Sequence, residues 1–155
     1  MTNGRTIRPT EDHRLLRESL DLLAPVADDL IAAFYHRLLT DHPEVRPMFP
    51  AVLDGQRERL LTAVVALVTH YDRPDTLLPA FAAMGQRHQR YGVRLEHYAA
   101  VGATLIGTLR DFAGEAWTPA YEGAWVRAYT FAAGSMMQAG ARVDEDDDEE
   151  ERLAA

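Results

Sequence analysis

Met84-Gly85-Gln86-Arg87-His88-Gln89-Arg90-Tyr91-Gly92-Val93, continued by His97-Tyr98-Ala99-Ala100-Val101-Gly102, is the stretch on which the fold turns. Leu77, Phe81, Met84 and His88 are spaced four, three and four. That is the rhythm of one face of an α-helix, so His88 sits on the apolar, inward line. Gly92 supplies the stop signal. A second helical register follows at once, through Tyr98, Val101, Leu105, Leu109 and Phe112. An inward imidazole has two readings: a core histidine with both nitrogens hydrogen-bonded, or an axial ligand to a metal. A lone histidine favours the first.

Working outward, the same periodicity dominates and strand alternation is almost absent. Thr10 is placed to cap a first helix carrying Leu15, Leu16, Leu20 and Leu23. Pro25 suits the first turn of a second helix, with Val26, Leu30, Ile31, Phe34, Tyr35 and Leu38 in a stripe. Pro43, Pro47 and Pro50 rule out a long helix across that segment and predict short turns and a corner. Asp54 is placed to cap a helix through Leu60, Leu61, Val64, Leu67, Val68 and Tyr71. The last helix follows Pro119 with Tyr121, Trp125, Ala128, Ala132 and Met136 in register. No repeat of solenoid period is present. The expected organisation is a flexible N-terminus at 1–9, one all-α domain at 10–143 and an acidic, disordered tail at 144–155.

Composition sets limits on function. The chain has 155 residues, 47% of them hydrophobic, enough for one packed core. It has no cysteine, which excludes disulfides, thiolate-held zinc, iron–sulfur clusters and a thiol nucleophile. The net charge of −8 comes from the unbroken acids Asp144, Glu145, Asp146, Asp147, Asp148, Glu149, Glu150 and Glu151; without them sixteen acids face sixteen bases, all arginine. No basic stripe for nucleic acid and no apolar run of membrane-spanning length is visible, so the expectation is a cytoplasmic protein without either partner.

Several segments, in order, resemble the bacterial globins, in particular the globin domain of flavohaemoglobins and their single-domain relatives. They are the Met84–Val93 and His97–Gly102 stretch, Trp117-Thr118-Pro119, Ala124-Trp125 to Tyr129, Phe34-Tyr35, Pro43-Glu44-Val45 and Phe49. The resemblance covers roughly residues 12 to 143. It implies a globin fold of six to eight helices around a haem (haem b), with His88 as the proximal iron ligand. It also implies Tyr35 and Gln56 as the distal pair, Leu60 as the apolar residue over the iron, Phe49 as the wedge at the corner and Tyr98 on the proximal side. Arg87, Val93 and Val101 complete the set placed against the haem, with Arg87 placed to pair with a propionate.

These residue types suit the implied chemistry. A diatomic gas polarised on iron gains negative charge, and phenol and amide donors stabilise it. One position departs from the family. Its pattern has a glutamate on the last helix that bonds the proximal histidine, and the aligned residue here is Gly140, with no acid between Glu122 and Asp144. A carboxylate partner raises the basicity of a ligating imidazole. Without it, His88 is expected to donate its second nitrogen to a backbone carbonyl near Met84.

The implied function is reversible binding of oxygen or another diatomic gas, with nitric oxide dioxygenation supported by an external reductase. The alternatives are a haem-based gas sensor and a haem-less globin-like stress-signalling module acting through a partner. A monomer or a homodimer is compatible with either.

Overall fold

The computed structural model describes residues 9–154. Six α-helices are present among them: α1 (Pro9–Leu23), α2 (Ala27–Asp41), α3 (Asp54–Thr69), α4 (Leu78–Arg90), α5 (Leu95–Ala113) and α6 (Pro119–Ala154). Short 3₁₀ turns join most of them, including Pro43–Met48 across the proline-rich corner. No strand occurs among the described residues.

The expected stripes face inward, except that Pro25 and Val26 lie in the 3₁₀ turn Ala24–Val26 before α2, where Val26 is exposed. On α2, Leu30, Ile31, Phe34, Tyr35 and Leu38 are buried, and on α3, Val64, Leu67 and Val68. The core continues through Phe81 of α4, Leu105 and Leu109 of α5, and Ala124, Trp125, Ala128 and Ala132 of α6. Burial of these side chains, at about 25 cal/mol per Å² of apolar surface, drives the packing.

Two polar links lock α1 to α6. The Trp125 indole N–H donates to Ser19 Oγ at 2.8 Å, and Ser19 is itself bonded to the Leu15 and Leu16 carbonyls. Arg127 reaches the buried Asp12 carboxylate with two N–H donors at 2.7 and 2.8 Å. A buried carboxylate needs such a partner.

Three expectations are corrected. The described part of α1 starts at Pro9, so Thr10 already lies inside the helix rather than capping it. Asp54 is the first residue of α3, with Leu53 at the cap position, so its carboxylate acts through the helix dipole and not as a cap. The acidic run from 144 is not a disordered tail: α6 continues through it to Ala154, with Asp148, Glu149, Glu150 and Glu151 exposed. Extending a helix already nucleated and packed costs little per residue, and Glu, Arg, Leu and Ala are good helix formers. The expected flexible N-terminus at 1–9 lies, apart from Pro9, outside the described residues.

The packing of α4 on α6 positions the site. It is the most extensive helix pair in the molecule. At Gly85 a Cβ would overlap the backbone carbonyl of Met136, and at Gly140 a Cβ would lie 3.1 Å from the Gly85 carbonyl oxygen. Only glycine lets two backbones approach this closely.

Candidate functional site

His88 lies in the last turn of α4, partly buried. Its Nδ1 is 2.7 Å from the Met84 carbonyl oxygen. A carbonyl can only accept, so Nδ1 carries the proton and donates, which leaves the Nε2 lone pair uncommitted. Burial lowers the imidazole's pKa, and the adjacent Arg87 adds to this, against a raising effect of the Met84 carbonyl. Desolvation therefore favours the neutral ring that a metal needs. No described residue makes a hydrogen bond to Nε2.

The Tyr98 ring, buried in the first turns of α5, stacks on the imidazole at 6.0 Å between centroids and 22° between planes. Val93 ties the corner back to α4, its amide donating to the His88 carbonyl at 3.0 Å. Val101 packs against the core on the same helix as Tyr98. Arg87 is exposed.

The second cluster forms where α2 and α3 meet the proline-rich corner. Tyr35 is buried, with its ring edge-on to Phe34 at 5.0 Å and to Phe49 at 5.7 Å. Its hydroxyl is 3.4 Å from the Gln56 backbone carbonyl. That is long for an O–H donor, so the phenol is only weakly committed. Burial raises the Tyr35 pKa, offset in part by Gln56 and the Arg57 charge; the group stays a protonated donor at neutral pH. Gln56 is half-buried, its side-chain oxygen 3.5 Å from an Arg59 nitrogen. Leu60, one turn on, packs against the core.

The structure thus brings Tyr35, Gln56 and Phe49 together in one cluster, and His88 and Tyr98 in another. Two neighbours went unassigned in the sequence. Arg57 has a buried Nε without a hydrogen-bond partner beside Gln56. Tyr129 of α6 reaches Tyr98. A buried aromatic on an amphipathic helix carries no signal that tells such a role from plain core packing.

The residues fit a haem. The donor set is one neutral imidazole with a single free nitrogen, flanked by aromatic and apolar side chains, which is what an axial ligand requires.

The globin family model matches residues 32–136. The chain is 35% identical over 123 residues to a flavohemoprotein of Rhodopirellula baltica, covering 77% of this chain and 30% of that protein. A flavohemoprotein of Bordetella bronchiseptica is 36% identical over 122 residues, with the same coverage. The chain therefore spans less than a third of the length of these relatives. Among solved structures, an engineered carbene transferase derived from a putative nitric oxide dioxygenase of Rhodothermus marinus superposes with a TM-score of 0.78 at 27% identity, covering 87% of this chain and 94% of that one. A bacterial globin of Campylobacter jejuni shares the fold, with a TM-score of 0.77 at 23% identity, covering 88% and 99%. The architecture and site together define an all-α protein built around an inward histidine. The chain belongs to the globin family.

Proposed function

We propose that the chain holds a haem b through His88 Nε2 and binds oxygen or another diatomic gas on the opposite side, beside Tyr35 and Gln56. The observation that carries this reading is the His88–Met84 hydrogen bond, which commits one ring nitrogen at 2.7 Å and frees the other. When bound, the haem supplies a redox-active iron that polarises a diatomic ligand. The protein does the rest. His88 holds the metal from a rigid helix end. Tyr35 directs a phenol donor that its weak bond to the Gln56 carbonyl does not tie down. The Gln56 amide adds a second donor, and Leu60 and Phe49 keep the surroundings apolar.

Nitric oxide dioxygenation is the reaction this set supports, with an external reductase supplying electrons in a cytoplasmic setting. The relatives named flavohemoprotein extend well beyond the region matched here. The neutral Met84 carbonyl behind His88, with glycine at 140, suits ligand binding better than peroxidase-like chemistry, since no carboxylate makes the imidazole more basic.

Purified protein reconstituted with haem should show a Soret band, form a stable oxygenated ferrous species and, mixed with nitric oxide, release nitrate. No Soret band would overturn the whole reading. A stable oxygenated form without nitrate would leave gas binding and remove the dioxygenase step.

A further inference from the structure

We propose that Tyr129 is a positioning residue for His88, acting through the stacked ring of Tyr98. The inference rests on the reading of His88 as a metal ligand and goes beyond it, by naming what sets the rotation of the imidazole plane.

Two constraints are needed to orient a histidine ring. A hydrogen bond from Nδ1 fixes the direction in which that edge points. It leaves the ring free to swing about the bond, and only a contact on the ring face removes that freedom. The Met84 carbonyl supplies the first constraint. Tyr98 supplies the second, stacked within 22° of parallel.

The Tyr98 ring is only as well placed as the backbone that carries it. Tyr129 reaches across from α6 and donates its hydroxyl to the Tyr98 backbone carbonyl at 2.5 Å. One turn further along α5, the Tyr129 ring lies against Gly102 so closely that a Cβ there would overlap it. One side chain therefore holds α5 at two levels. The hydroxyl pins the carbonyl of Tyr98, and the ring fills a notch that glycine leaves open. Together they set both the height and the rotation of the first turns of α5 against α6. Burial, aided by the nearby Tyr98 phenol, pushes the Tyr129 phenol above the ordinary tyrosine range, so the hydroxyl remains a donor.

The same α6 carries Gly140, which has no side chain to offer His88; a Cβ there would lie 3.1 Å from the Gly85 carbonyl oxygen and 3.2 Å from the Gln89 side-chain oxygen. The influence of α6 on His88 passes through Tyr129, Tyr98 and the ring face.

Tyr129→Phe tests this, because it removes one hydroxyl and leaves the ring in its notch. In the apoprotein, NMR of the carbon-bound His88 protons should show the ring-current displacement from Tyr98 shrinking toward the unstacked position. In the cyanide-bound ferric holoprotein, the spread of haem methyl shifts, which follows the imidazole plane, should change while the Soret band is retained. In a Tyr98→Ala background, Tyr129→Phe should leave the His88 signals unmoved while still lowering the urea midpoint. Unchanged His88 signals in the single variant, together with a lowered midpoint, would overturn the proposal and reduce Tyr129 to a helix tie. Failure of the wild-type chain to take up haem would sink the haem reading, yet the apoprotein spectra would still decide this one.

Discussion

The two sides of the site are built to opposite standards. On the proximal side everything is committed. His88 is bonded at 2.7 Å, Tyr98 is stacked on it, Tyr129 holds Tyr98, and α4 meets α6 at Gly85, where a Cβ would overlap the Met136 backbone. On the distal side the donors are loosely held, with Tyr35 at 3.4 Å from its acceptor and the Gln56 oxygen at 3.5 Å from Arg59. The contrast suits the roles proposed for each side. A metal ligand works when its nitrogen is held in one place. Donors for an incoming gas work when they are placed but unsatisfied, since a firm internal bond would have to break on binding.

The largest expected effect comes from removing the proximal anchor. His88→Ala should abolish the Soret band of the reconstituted protein while the helical circular dichroism remains; an unchanged spectrum would move the ligand elsewhere.

Next is the close crossing of α4 and α6. Gly85→Ala forces a methyl group onto the Met136 backbone, which cannot rotate away, and should destabilise the fold by about 3 kcal/mol in urea titration. The contrast is Gly134 on α6, where a Cβ meets nothing within 4 Å. There Gly→Ala should stabilise by about 0.5–1 kcal/mol. Equal outcomes at the two glycines would show that the crossing is not tight.

On the distal side, Tyr35→Phe removes one donor to a ligand that gains negative charge, worth about 1.5–3 kcal/mol. Oxygen dissociation should speed up by roughly one to two orders of magnitude, with little change in the urea midpoint because the existing bond is weak. An unaltered off-rate measured by stopped flow would remove Tyr35 from the gas site.

The mildest test is alkaline. Tyr35, Tyr71, Tyr98 and Tyr129 all have pKa values raised by burial. A raised folded value means these phenols favour the native state at high pH only while they stay protonated. Their contribution is whole below about pH 10, the unfolded value, and is lost as pH climbs through the folded values. Ultraviolet phenolate absorbance should therefore show these four ionising together with loss of circular dichroism. Their ionisation well before unfolding would contradict the burial.

Much of this was legible in the residues. The stripes on α2, α3 and α5 face the core as their spacing predicts. Gly92 follows the end of α4 with φ of 80°, the left-handed value its stop signal calls for. His88 Nδ1 donates to the Met84 carbonyl, the acceptor expected where Gly140 offers no side chain. Other features were not legible, because they depend on what lies across a helix boundary. The caps expected at Thr10 and Asp54 both fall inside their helices, since local propensity places a helix end only to within a residue or two. The acidic run looked self-repelling by charge, yet it inherits helix from the packed segment before it.

The sequence by itself determined the helices, their buried faces and the inward histidine, because these follow from local periodicity and the hydrophobic effect. How near α6 comes to α4, and that Tyr129 should hold the backbone of Tyr98, were decided only by tertiary structure. These are contacts between residues far apart in the chain, 31 positions in the last case. Their geometry is set by packing at close range, where a single methyl group changes what fits.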